Sequence, residues 1–324
     1  MPDLKSPLKI DDTELRNRLV MPPMAMNLAT KEGEVTEKLV EHYRQRAKHT
    51  GMIIVEHSYV DPSGKLSERQ LGIYDDDLIP GLKKIADAIK GEGCFACIQI
   101  THAGGSCNRD ITGKTPVSPS KDWYGDKEVR ELTIQDMDEI KDKFSQAARR
   151  AKEAGFQAVE VHGAHGFLLN QFTSPLTNKR DDGYGGSLEN RIKYPLEVVD
   201  EVKKQTEGML LMYRMGACDE REDGFTLEDA QHLGKELEDI GVKIIDVSGG
   251  FCGSRPEDKD QQGYYVHFAE KVKSAVDVPV IGVGGIVEPE FADKIVKEGR
   301  VDLAAVGRAL LKDPRWGAEY IKKI

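Results

Sequence analysis

Short apolar runs alternate with amphipathic stretches along almost the whole chain. The runs at 18–21, 52–55, 95–100, 158–162, 209–215, 243–247, 279–282 and 301–306 are rich in Val, Ile, Leu and Met, and most are continuous rather than alternating. A strand that is apolar on both faces is buried on both, as in a parallel sheet covered by helices. The intervening stretches carry helix signals. Thr36 precedes a stretch with Leu39, Tyr43 and Ala47 on one face. Thr133 with Asp136, and Thr226 with Asp229, have the spacing of capping boxes. Gly241 suits a helix C-cap, Pro289 a first helical turn and Gly299 a helix end. Between 187 and 205, Pro195 interrupts an otherwise regular face of Ile192, Leu196 and Val199.

Strand–helix alternation repeated eight times predicts an α/β fold, a (β/α)8 TIM barrel, with a doubly wound sheet as the second choice. No low-complexity linker divides the chain, so one domain over 1–324 is expected. The connections 101–132 and 163–187 are too long for plain turns. In barrels, long loops after strands build the active-site face, so the function is sought there.

Composition narrows the classes. A net charge of −10 over 324 residues argues against a general nucleic-acid binder. No stretch approaches 18 apolar residues, and the polar start, MPDLKSPLKIDDTELRNR, is unlike a secretory signal. The five scattered cysteines fit a reducing compartment, so a cytoplasmic location is expected. Cys94 and Cys97 have redox-motif spacing but fall at a strand, where they point to opposite faces and read as core. Glycine is in excess, 32 residues or about 10% against an average of about 7%.

Two constellations stand where predicted strands end. In VEVHGAHGFLLNQFTSPLTNKRDDGYGGSLENR, His162 closes an apolar strand and His165 follows on a glycine-containing turn. Two imidazoles so placed can both donate to one carbonyl or oxyanion. A metal pair competes, although His-x-x-His alone lacks a third ligand, and one packed with one solvated histidine is the plain reading. In VPVIGVGGI and VDLAAVGRALLKDP, strands run into Gly284 and Gly285, and into Gly307 and Arg308. The last two loops of a barrel commonly bind phosphate through backbone N–H groups, although glycines can also merely turn the chain.

Other polar groups stand near strand ends. Gln99 and His102 lie where a strand meets the first long loop. Arg214 sits inside an apolar strand, where an unpaired guanidinium is costly. It should face an anion or carbonyl-rich ligand, or a buried Asp or Glu. Gly163, Gly185 and Gly186 are further positions where the backbone is expected to approach a ligand.

Together these segments resemble the Old Yellow Enzyme family of FMN-dependent ene-reductases (NADH:flavin oxidoreductases), over nearly the full length. The matching pieces are RLVMPPMAMN, IIVEHSYV, IQITHAG, the block from His162 to Arg191 and the two terminal glycine loops. The resemblance implies FMN across the C-terminal mouth of the barrel, with NADH or NADPH as reductant. Pro23, Met24 and Ala25 would line the flavin ring, and Gln99 would hold its pyrimidine edge. Arg214 would sit at the N1/O2 side, and Gly284, Gly285, Gly307 and Arg308 would take the phosphate. His162 and His165 would grip the carbonyl of an α,β-unsaturated substrate, with hydride passing from flavin N5 to the β-carbon and a proton reaching the α-carbon. Asn27, His102, Phe167 and Tyr264 are expected around that substrate. The partner is then a small molecule rather than nucleic acid or membrane. No metal is expected, and a homo-oligomer is compatible with the pattern.

Three departures matter. Phe167 stands where many relatives have a proton-donating tyrosine, leaving solvent, Tyr264 or Tyr265 for that role. Ala25 replaces a flavin-tuning cysteine of one branch, and Gly105 an arginine that often follows His-Ala-Gly. The last cysteine is Cys252, so no Fe–S ligand run is expected beyond the barrel and electrons should reach FMN directly. Two other readings stand beside this one: a lyase or isomerase holding a phosphorylated substrate, and a flavoprotein without alkene turnover.

Overall fold

The computed structural model describes residues 2–121, 127–256 and 261–322. All eight expected strands form: β1 (Leu19–Met21), β2 (Met52–Tyr59), β3 (Phe95–Thr101), β4 (Ala158–Gly163), β5 (Leu210–Gly216), β6 (Ile244–Ser248), β7 (Val280–Gly282) and β8 (Leu303–Ala305). They pair in parallel in chain order, and β8 closes onto β1 to complete a barrel. The covering helices are α1 (Glu37–Ala47), α2 (Ile79–Gly91), α3 (Ile134–Glu153), α4 (Leu188–Lys203), α5 (Leu227–Ile240), α6 (Val266–Lys273), α7 (Pro289–Lys297) and α8 (Arg308–Lys312).

Local chemistry explains the helix limits. The Thr133 and Thr226 hydroxyls accept from the Asp136 and Asp229 N–H groups as reciprocal capping boxes. Gly241 closes α5 at φ 114°, a left-handed value that glycine adopts without strain. Pro195 lies inside a continuous α4, contrary to the expected interruption. An internal proline costs about 3 kcal/mol, but burial of Ile192, Val198, Val199 and Val202 outweighs it.

Alternation along the strands divides two cores. Val20, Ile54, Cys97, Ala158, Met212, Ile244 and Ile281 fill the barrel interior, while their neighbours pack on the helices. Cys94 and Cys97 fall in different cores, as their spacing requires. A short antiparallel hairpin, Leu8–Ile10 with Thr13–Leu15, precedes the barrel, and Ile10 and Leu15 join its interior apolar cluster. Three-residue strands carry too little pattern to be read from sequence.

Toward the strand C-termini the interior positions change character. Cys97 gives way to Gln99, Ala158 to Glu160 and His162, Met212 to Arg214, and Ile244 to Asp246 and Ser248. Strand register sets Gln99 beside Glu160, and Arg214 between His162 and Asp246. A polar end therefore sits on an apolar one. Among the described residues no helix is long and apolar enough to cross a membrane.

Candidate active site

A cavity of about 590 Å³ opens at this polar end. Its wall after β1 is Pro22, Pro23, Met24 and Ala25. That segment is tied down by Glu56, whose Oε2 accepts from the Met26 N–H at 2.9 Å. The Glu56 N–H in turn donates to the Tyr43 hydroxyl oxygen at 2.9 Å. Burial raises the Glu56 carboxyl to about 7, against the opposing pull of the Met26 and Asn27 N–H groups and the Tyr43 hydroxyl.

The floor carries charge. Gln99 Nε2 donates to Glu160 Oε1 at 2.8 Å, while Glu160 Oε2 has no partner among the described residues. Arg214 Nε lies 3.4 Å from Asp246 Oδ2 without completing a hydrogen bond. Burial pushes both carboxyls above their usual range, with Asp246 adding to the effect on Glu160 and Arg214 opposing it. Arg214 thus satisfies both expectations at once, pairing with an acid and lining the cavity.

His162 and His165 meet edge to face at 5.2 Å between ring centres. Burial pushes both well below the usual histidine range, and Arg214 adds to it, so both rings are neutral. His162 Nδ1 is buried without a partner among the described residues. His165 is held at φ 59°, its N–H donating to the Gly249 carbonyl at 3.2 Å and its Nε2 lying 2.8 Å from Ser248 Oγ. Phe167 packs on His162 at 4.8 Å, edge on.

At the other end are Gly285, Gly307 and Arg308, with Arg308 Nη2 donating to the Tyr264 hydroxyl at 3.2 Å. Gly285 has φ 61°, and a Cβ there would fall 2.9 Å from Arg308 Nη2. Tyr264 lies at this end rather than beside the histidines. The Tyr265 hydroxyl donates to the Gly253 carbonyl at 2.6 Å, and the residue is buried outside the cavity wall.

Three expected residues stand elsewhere. Asn27 is exposed, with Oδ1 accepting from Ser67 Oγ at 2.5 Å. His102 is a buried post: its Nδ1 accepts from the Gly104 N–H at 3.0 Å and Ser63 Oγ lies 3.3 Å from Nε2. Gly284, at φ 139°, makes the turn against which residues 263–265 pack and does not line the cavity. Gly163 and Gly185 make room for the Tyr213 hydroxyl and the Arg180 backbone, so they serve packing rather than a ligand.

The wall also includes residues that the sequence reading passed over, notably His57, Leu66, Ser248 and Arg255. Ser248 was legible, since it continues the inward parity of Ile244 and Asp246. His57 was not, because the β2 register shifts between Val55 and Ser58 and alternation fails there. Among the described residues no group of three or more His, Cys, Asp or Glu side chains could hold a metal ion, so the metal reading of the histidine pair finds no third ligand.

The family described as NADH:flavin oxidoreductase / NADH oxidase matches residues 3–323. The chain belongs to that family. Within it, the chain is 44% identical to an NADH oxidase of Thermoanaerobacter brockii, over 97% of this chain but 50% of the relative. It is 38% identical to an NADPH dehydrogenase of Bacillus subtilis, over 99% of this chain and 95% of the relative. A 2-naphthoyl-CoA reductase in complex with 2-naphthoyl-CoA superposes with TM-score 0.93 at 28% identity, over 98% of this chain and 52% of that one. An Old Yellow Enzyme homologue from Zymomonas mobilis superposes with TM-score 0.86 at 24% identity, over 99% of this chain and 93% of that one, which speaks to the fold alone. The chain thus spans about half of the NADH oxidase and nearly all of the NADPH dehydrogenase.

The family's cofactor is FMN, and the residues present fit it. Gly285 and Gly307 line the cavity with bare backbone, since a Cβ would crowd Tyr264 and Arg308 at the first and Met24 at the second, and Arg308 stands beside them for a phosphate. Buried Arg214 lines the floor as a donor for an electron-rich ring edge, next to Gln99. The segment from Pro23 to Ala25 supplies a largely apolar wall.

Proposed function

We propose that the chain transfers hydride from NADH or NADPH, through FMN, to the activated C=C of an α,β-unsaturated carbonyl-type substrate. One observation carries the reading. Two neutral imidazoles, His162 and His165, face the cavity beside Arg214, and His162 Nδ1 has no partner among the described residues. Neutral rings can donate to a carbonyl oxygen without drawing a carboxylate into the site.

Bound FMN supplies the hydride acceptor and donor. The chain's own residues do the rest. Gly285, Gly307 and Arg308 anchor the phosphate end, and Gln99 and Arg214 hold the ring edge where negative charge gathers. His162 and His165 fix the substrate oxygen and stabilise the enolate-like charge that develops there, drawing electron density from the β-carbon. Phe167 has no hydroxyl, so the α-carbon takes its proton from solvent.

Phe167 also favours a second reading, a family member that oxidises NAD(P)H without alkene turnover. FMN-loaded protein reduced anaerobically by NADH or NADPH and then mixed with cyclohex-2-enone separates the two. Rapid reoxidation supports the proposal, and a flavin that stays reduced until air is admitted supports the second reading. Failure to take up FMN removes both.

A further inference from the structure

His57, in the cavity wall, is unused by the roles above. It lies within the irregularity in β2 and sits 6.4 Å from His162 and 5.6 Å from Phe167, ring centre to ring centre. Its hydrogen bonds decide which nitrogen carries the proton. The Leu66 N–H donates to Gln70 Oε1 at 2.7 Å, so the Gln70 amide nitrogen faces the other way. That nitrogen lies 2.7 Å from His57 Nδ1 and 2.9 Å from the His57 carbonyl oxygen, and its two hydrogens serve these two acceptors. Nδ1 is therefore an acceptor, and a neutral ring carries its proton on Nε2. Burial, helped by the charge of Arg214, holds the ring neutral with a pKa of about 4. Among the described residues nothing accepts from Nε2, so this N–H is available to a ligand.

We propose that His57 is a third hydrogen-bond donor at the substrate end of the cavity, selecting acceptors with a second carbonyl oxygen on the same conjugated unit, such as cyclic imides and cis-enediones. This rests on the reading that His162 and His165 hold one carbonyl. A carbonyl oxygen offers two lone-pair directions, and that pair fills both. A third donor then needs another acceptor. Phe167 touches both His57 and His162, so an apolar ring rather than a competing hydroxyl stands between them. A site built to hydrogen-bond a substrate group discriminates against an analogue lacking it, because its own donor is left unpaired.

The test compares 2-methylmaleimide with 2-methylcyclopent-2-enone, rings of one size that differ by the second carbonyl and its N–H. The FMN-loaded protein is assayed for kcat/KM on both. Dissociation constants of the saturated 2-methylsuccinimide and 2-methylcyclopentanone are read from the flavin absorbance. His57→Ala is expected to lower kcat/KM for the imide by ~10-fold or more and to weaken the succinimide similarly, with the enone within about twofold. His57→Asn, which keeps a donor N–H, should recover part of the loss. If the alanine variant loses FMN or melts early, His57→Phe keeps the ring without the N–H and gives the same comparison. Equal losses on both probes, or no loss on either, overturn the proposal. A wild-type protein that binds FMN but reduces neither probe overturns the ene-reductase reading, and the succinimide dissociation constants still decide the role of His57.

Discussion

Arg214 Nε lies 3.4 Å from Asp246 Oδ2 in the barrel interior, and neither atom completes a hydrogen bond among the described residues. The pair is held by charge, so the guanidinium keeps donors for a ligand while its field still steadies two buried acids, Asp246 and Glu160. Removing either partner breaks a buried pair. Arg214→Met should lower stability by about 3–5 kcal/mol, the usual cost of stranding buried charge. Asp246→Asn, which strands the guanidinium in turn, should cost a similar amount. Urea unfolding of the FMN-free proteins measures both.

Glu56 makes stability depend on pH. Its carboxyl titrates at about 7 in the folded protein, against an ordinary value of 4.5. Between those values the folded state holds a proton that the unfolded state has released, so stability falls as pH rises through this window and levels off above it. The size of the effect is about 3 kcal/mol. The groups facing this carboxyl are the Tyr43 hydroxyl and the backbone N–H groups of Met26 and Asn27. Glu56→Gln should flatten the profile of urea midpoint against pH between 5 and about 7 relative to wild type.

At the phosphate end, Arg308→Ala is expected to weaken FMN binding by ~10–100-fold, the loss of a charge-assisted contact. Gly285→Ala should also loosen the cofactor, since its φ of 61° is unfavourable for alanine and the new Cβ would crowd Arg308 Nη2 at 2.9 Å. Equilibrium dialysis of FMN measures both. His162→Ala should leave this binding within about threefold, because its contacts lie with the substrate.

Phe167→Tyr restores a hydroxyl beside His162, whose ring the Phe167 ring meets at 4.8 Å. If solvent protonation limits turnover, the variant should speed reoxidation of the reduced enzyme by enone by ~10-fold or more, the scale of a positioned general acid. Reduction by NADPH should not change. Stopped-flow absorbance resolves the two half-reactions.

The barrel was legible because most strands are continuous apolar runs and several long helices, α1, α3 and α5 among them, begin on a recognisable cap. The candidate site was legible where polar residues keep the inward parity of their strand, as Gln99, His162 and Arg214 do. It failed where local geometry breaks that rule. The irregularity in β2 hides His57, and the loop after β3 carries His102 into a buried post under Gly64. The most specific motif, SPLTNKRDDGYGG, turns out to build its own loop. Arg180 pairs with Asp182 at 2.6 Å, and Asn178 Nδ2 donates to the Phe172 and Tyr184 carbonyls, all outside the cavity wall. A motif can thus identify a family through residues that hold a loop rather than a ligand.

The central claim is that His162 and His165 hold the substrate oxygen while hydride reaches the β-carbon. Single-turnover reoxidation of the NADPH- or NADH-reduced, FMN-loaded protein by cyclohex-2-enone tests it most directly. Replacing both histidines by alanine should slow that step by ~100-fold or more, a loss of about 2.7 kcal/mol or more, with FMN still bound. Unchanged reoxidation in the double variant would contradict the account.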